Sequence, residues 1–205
     1  MDSAFALTAF VTIFVVVDPI GLAPLFVALT GGMDRAARRR AGLRAVLIAA
    51  VLMTLFGLLG DRLLGAVGIS LPAFRIAGGA LLFLTALDML FERRTQRREG
   101  QHPSHADDPS VFPLATPLIA GPGALATMIL LTGQADGWAG IAVVHVAMAA
   151  VLAVVFLLFL AAAPIERALG RTGTMVVTRL LGMLLAALAM QFILDGLRGA
   201  GFVGG

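Results

Sequence analysis

Cysteine is absent from the chain. That excludes disulfides, zinc–thiolate sites, iron–sulfur clusters and cysteine nucleophiles. Lysine is absent too, so every basic residue is an arginine. Charge of either sign is scarce: charged residues make up 13% of the chain, against about a quarter in a soluble domain. Hydrophobic residues make up 60%, and the mean hydropathy is +0.99. A water-soluble fold of 205 residues leaves too many atoms exposed to hide that much apolar surface. A bilayer removes the difficulty. The net charge of +3 and the pI of 11.2 could suggest nucleic acid. The arginines, however, cluster in short stretches between apolar runs, where anionic lipid and membrane topology account for them. No nucleic-acid partner is expected.

A helix needs about 20 apolar residues to cross a bilayer core. Six such stretches are expected, near residues 4–30, 44–60, 71–91, 111–132, 138–163 and 175–197. The N-terminus has no basic region and no small-residue cleavage site before its first break, so it reads as a retained span and not as a signal peptide. Arg35, Arg38, Arg39, Arg40 and Arg44 lie between the first two spans. Arg93, Arg94, Arg97 and Arg98 follow the third, and Arg167 and Arg171 follow the fifth. The opposite side carries Arg62 and Arg198. Positive residues stay cytoplasmic, which places both termini outside a multi-pass protein of the inner (plasma) membrane.

The chain divides into three parts: residues 1–91, a polar stretch 92–110, and residues 111–205. The polar stretch reads as a mobile cytoplasmic linker. Its His102 and His105 do not have a recognised ligand spacing, and no metal site is expected. The flanking parts echo each other. Asp18-Pro19-Ile20-Gly21 precedes Gly121-Pro122-Gly123-Ala124 by 103 positions, and Arg75-Ile76-Ala77-Gly78 precedes Arg179-Leu180-Leu181-Gly182 by 104. Each part has an odd number of spans, so tandem copies insert with opposite orientation. The expected fold is therefore all-α, with six transmembrane helices in two inverted three-helix repeats, an architecture recurrent in secondary transporters.

Spans one and four are both interrupted. Pro19 lacks an N–H and clashes with the preceding turn; Gly21 and Pro24 weaken the helix further. Span four contains Pro113, Pro117, Gly121, Pro122 and Gly123. The breaks are expected at Asp18–Gly21 and at Gly121–Gly123, near the bilayer middle. Backbone unwound there must face protein, water or a ligand. A half-helix beginning at mid-membrane offers bare N–H groups and partial positive charge, which suit a carboxylate. Asp18 and the unwound carbonyls suit an ammonium group or a cation. The candidate substrate site is thus Asp18, Pro19, Ile20, Gly21, Gly121, Pro122, Gly123 and Ala124, with Thr127 one turn further on. It fits a small zwitterion.

Other polar residues are weighed singly. Asp88, near the end of span three, reads as an interfacial ion-pair partner of Arg93 or Arg94, with a proton relay as the other reading. Arg75 and Arg179 either pair with carboxylates or anchor at head groups. His145 could carry protons near neutral pH, although a hydrogen-bonded packing histidine is commoner. Asp18, Asp88 and His145 are the candidates for proton coupling. Gln191 is taken as polar lining. Gly78, Gly79, Gly182, Ala186, Ala187 and Ala189 are read as small residues that let helices pack closely.

Three stretches, DPIGLAPLF (18–26), RIAGGALLFLTALDML (75–90) and PLATPLIAGPGALATMILL (113–131), resemble the most characteristic segments of the MarC family of bacterial membrane proteins, also described as small neutral amino acid transporters. The resemblance covers most of the chain in the same order. It implies an inner-membrane protein that moves glycine, alanine, serine or threonine, linked to the proton gradient or another coupling ion. The family often has asparagine after the DPIG glycine, where this chain has Leu22.

The alternative is an ion transporter or channel with Asp18 and unwound carbonyls as ligands. A cation site would want several acidic or carbonyl ligands, whereas the Gly121–Ala124 break supplies donors. An enzyme is not expected. Paired catalytic aspartates must face each other, and Asp18 and Asp88 are expected at different depths. No GxSxG elbow or Walker motif is present, and no cofactor is expected. The residues do not indicate an oligomeric state.

Overall fold

The computed structural model describes residues 3–91 and 109–202. The described residues are helical, with no strands: α1 (Ser3–Val17), α2 (Pro19–Leu29), α3 (Arg35–Ala66), α4 (Leu71–Leu90), α5 (Ser110–Ile119), α6 (Pro122–Thr132), α7 (Gly137–Leu160) and α8 (Ala162–Gly199). Five stretches are long and apolar enough to cross a membrane: Ser3–Leu29, Arg35–Gly60, Leu71–Leu90, Gly137–Leu160 and Thr172–Gly199. The pair α5–α6, bent by 53°, makes a sixth if it counts as one span. The expected linker, with Arg93, Arg94, Arg97, Arg98, His102 and His105, lies almost wholly outside the described residues.

Intrinsic propensity does not explain these helices. α1 runs through Val-Thr-Ile-Phe-Val-Val-Val, and β-branched residues are poor helix formers in water. In hydrocarbon a backbone N–H has no solvent partner, so the helix, which pairs each one internally, wins regardless. α3 shows the bilayer as solvent most plainly. Ala45, Ala49 and Met53 are fully buried, while Leu43, Leu47, Val51 and Leu55 on another face are exposed. That apolar face would be untenable in water and is ordinary against lipid. Trp138, three-quarters exposed, opens α7 where a water–lipid boundary suits its ring.

The cluster at Arg35–Arg40 is not a loop. It forms the first turns of α3, started by Asp34, whose Oδ1 accepts from Ala37 N at 2.7 Å. Arg38 Nη2 reaches back to the Thr30 carbonyl at 3.4 Å, at the open C-terminal end of α2. The last span begins at Thr172, near the expected start, and a helical stretch from Ala162 leads into it. That stretch bends at Gly170, whose φ of 61° only glycine adopts readily.

α4 and α8 form an antiparallel pair held by glycines. A methyl at Gly79 would stand 2.8 Å from the Ala189 carbonyl oxygen, and one at Gly196 equally close to that of Pro72. At the other end Gly182 packs on Ala86 and Met89. Backbones this near exchange dispersion contacts that side chains would block. Ala189 is buried in the seam, as expected, but Ala187 is exposed on the opposite face. Gln191 lines nothing; it too is exposed, and its Nε2 donates to Asp195 Oδ1 at 2.9 Å.

Candidate functional site

The break in the first span is one residue wide. The residue before a proline is disfavoured in the right-handed helical region. Asp18 accordingly sits at φ 54°, ψ 64°, the only non-glycine with positive φ among the described residues. Aspartate is one of the few side chains that tolerate this conformation. Helical hydrogen bonds nonetheless pass on both sides: Asp18 N donates to Phe14 O and Leu22 N to Asp18 O. Pro19 has no N–H for the Val15 carbonyl, and the Gly21 N–H turns to Asp18 Oδ1 at 3.1 Å. Asp18 is therefore the N-cap of α2, with Pro19 at the first helical position. The expected break at Asp18–Gly21 narrows to Asp18; Pro19, Ile20 and Gly21 are the first turn of α2.

A buried carboxylate is expensive in an apolar setting, and Asp18 is 1% exposed. Gly21 is needed for it, since any β-carbon there would overlap the carboxylate.

The second break is of another kind. α5 is a wide, irregular coil with bonds spaced by five residues, Leu114 N to Pro109 O and Ala120 N to Ala115 O. Phe112 and Thr116 are extended, and each precedes a cis proline, Pro113 and Pro117. The chain then turns at Ala120 and Gly121, and α6 begins at Pro122 with no side-chain cap. The first N–H groups of a helix have no partner inside it, so those of Gly123 and Ala124 face the break. At Gly121 a β-carbon would collide with the Pro117 carbonyl.

Residues flanking the two interruptions come into contact. A methyl at Gly123 would stand 3.6 Å from Val16 Cγ1, 3.3 Å from Leu82 Cδ2 and 3.6 Å from Thr85 Oγ1. Val16 lies two residues before Asp18, and Gly123 two residues after Gly121. The end of α1, the start of α6 and the middle of α4 thus pack against one another at Gly123. Ala124 and Thr127 are buried; Ile20, Gly121 and Gly123 are half-buried; Pro122 is exposed and turns its ring away from the packed side.

The expected proton-coupling residues divide. Asp88 is half-buried on α4, one turn beyond Thr85. His145 belongs elsewhere. Its Nδ1 is 2.8 Å from the Ile141 carbonyl, which requires the proton on Nδ1. Its Nε2 is buried beside Gly57, with no hydrogen-bond partner among the described residues. It packs on the α3 side of α6, near Met128, and not at the breaks. Thr12 has no place among the expected site residues, yet it is fully buried on α1, one turn before Val16. One threonine in an apolar run carries no sequence signal that marks it out.

The cap geometry gives a direct test. Gly21→Ala should lower stability by about 1–3 kcal/mol, since the methyl displaces the carboxylate from the α2 N–H. Asp18→Asn should fold nearly as well, because asparagine also tolerates positive φ and accepts at an N-cap. Thermal unfolding of the detergent-purified variants checks both; a Gly21→Ala protein as stable as the parent would contradict this geometry.

Comparison with known proteins agrees with the membrane architecture. Residues 3–201 match the MarC family integral membrane proteins. The chain is 35% identical over 203 residues to a UPF0056 membrane protein of Methanocaldococcus jannaschii, covering 98% of this chain and 99% of that one. It is 34% identical over 204 residues to the UPF0056 membrane protein YvbG of Bacillus subtilis, covering 97% of each. It is 35% identical over 194 residues to YhcE of Escherichia coli, covering 93% and 90%. No solved structure matches it. Matched across nearly its whole length, with the apolar helices that such a protein requires, the chain belongs to the MarC family of integral membrane proteins.

Proposed function

We propose that the protein is a secondary transporter of small neutral amino acids, and not an enzyme. The observation that carries this reading is the meeting of two breaks with opposite polarity. The Asp18 carboxylate offers a counter-charge to an ammonium group, and the open N–H groups at the start of α6 offer donors to a carboxylate. The Val16–Gly123 approach keeps the place between them small, which favours glycine, alanine, serine or threonine over bulkier solutes. A cation alone would leave the donors of α6 without a partner.

The packing supports two inverted repeats working by alternating access. α3 packs on α5 and α6, as α7 packs on α1 and α2; α4 packs on α6, as α8 packs on α2. These contacts pair off when the halves are exchanged, whereas the α1–α6, α1–α8 and α6–α7 contacts belong to one half-to-half arrangement only. In this reading the halves rock about the meeting point of the breaks, and Asp18 takes either the substrate amine or the coupling proton. Asp88, close to the same part of α4, is the second candidate for proton transfer.

Uptake of radiolabelled glycine and alanine into proteoliposomes under an imposed proton gradient tests the function. The wild-type protein should accumulate both, and Asp18→Asn should reduce uptake by about tenfold or more, the loss expected for a charged hydrogen-bonded contact. Unchanged uptake in Asp18→Asn would remove its assigned role, and accumulation of a metal cation in place of amino acids would favour the ion reading.

The arginines at the start of α3 support a cytoplasmic start for that helix in the inner membrane, with both chain termini outside. The lack of native cysteine makes this simple to check. A membrane-impermeant maleimide should label Gly65→Cys in intact spheroplasts and Arg39→Cys only after permeabilisation; the reverse pattern would invert the orientation.

A further inference from the structure

Threonine hydroxyls in this bundle have a usual partner. Thr30, Thr85, Thr132 and Thr174 each donate to the carbonyl four residues earlier, at 2.6–3.1 Å. This is the ordinary way for a helical threonine to satisfy itself in an apolar setting. Thr12 and Thr127 depart from it. Both are 0% exposed, and neither Oγ1 has a hydrogen-bond partner among the described residues. An unsatisfied buried hydroxyl is destabilising and calls for an explanation.

Their positions coincide. α6 runs antiparallel to α4, because Gly123 meets Leu82 and Thr85, Gly78 meets Ala126 and Leu130, and Gly133 meets Leu71. The end of α6 therefore lies at the start of α4, which is also the end of the bundle where α1 begins. From the Val16–Gly123 contact, one turn in that direction reaches Thr12 on α1 and Thr127 on α6. Residues four apart share a helix face, so both threonines lie on the α1–α6 seam at one level, about 6 Å from the meeting point of the breaks. A helical side chain leans over the preceding turn, which aims Thr127 back toward Gly123 and the start of α6 and carries Thr12 toward Thr8, so that Thr127 is the hydroxyl nearer the break. At the corresponding positions of the other half, 103 residues away, stand Ala115 and Pro24. Neither side chain has a hydroxyl.

We propose that Thr12 and Thr127 form the side-chain subsite of the transporter and select substrates that carry a hydroxyl, of the serine and threonine type. This rests on the amino-acid transport reading and specifies its side-chain recognition. With the substrate amine at Asp18 and its carboxylate at the start of α6, the side chain has this seam as its nearest polar surface. A substrate hydroxyl both donates and accepts, and so partners two hydroxyls that otherwise have none. The methyl of alanine leaves them unpaired.

The test is competition by unlabelled L-serine and L-alanine against radiolabelled glycine uptake by the full-length protein in proteoliposomes. Serine should compete better than alanine by about tenfold, the ratio one recovered hydrogen bond supports. Thr12→Val and Thr127→Val should each bring that ratio toward one, while Thr127→Ser should retain it. The ratio is independent of the overall rate, so a general loss of stability does not imitate the effect. A wild-type protein that does not prefer serine, or a ratio unchanged in both valine variants, would overturn the subsite while leaving amino-acid transport standing. Failure of the wild-type protein to take up any of the three amino acids would overturn the parent reading and the subsite together.

Discussion

A peptide group in hydrocarbon must find its hydrogen-bond partner inside the protein. The two interruptions in spans one and four answer that requirement in different ways. At the first break the partner comes from the sequence itself: Asp18, turned left-handed by the proline that follows, bends its carboxylate onto the Gly21 N–H. At the second, α5 widens its turns so that carbonyls five residues back are used, yet the first N–H groups of α6 are left without a side-chain cap. One break ends capped by a side chain, the other without a side-chain cap. Their contact through Val16 and Gly123 makes a polar place in an otherwise apolar bundle.

The remaining helices hold that place. α4 contributes Leu82 and Thr85 to its wall and is itself held by the glycine seam with α8. On the α2 and α7 side, Phe26 and Phe159 are buried and stacked nearly parallel, 4.1 Å apart, and Gly42 of α3 leaves room for them. Rings in such contact favour tight local packing. The α4–α8 seam is lined by Gly79, Gly182 and Gly196, which let the two backbones approach closely.

Much of this was legible in the sequence, and for identifiable reasons. Apolar runs located the spans because lipid imposes a length that water does not. Asp18-Pro19 and Gly121-Pro122-Gly123 located the breaks because proline's missing N–H is a covalent fact. Details that depend on neighbours were not legible. The arginines at 35–40 read as a loop, yet they continue α3, since nothing in their charge forbids a helix outside the bilayer. Gln191 and Ala187 lie in the right helix on the wrong face, and only the register of α8 against α4 decides that. His145 read first as a hydrogen-bonded packing histidine, and its Nδ1 bond to the Ile141 carbonyl agrees with that reading, but that it packs beside Gly57 depends on its neighbours. Thr12 was invisible because its significance is the absence of a bond that other threonines make.

The central claim is that the two breaks touch and that substrate occupies their junction. Cysteine pairing at Val16 and Gly123 tests it most directly, since the chain has no other cysteine and the two side chains would stand within disulfide reach. The account predicts that Val16→Cys/Gly123→Cys cross-links on mild oxidation, that the cross-link stops glycine uptake, and that reduction restores it. A pair that does not cross-link, or one that cross-links and transports at the uncross-linked rate, would contradict it.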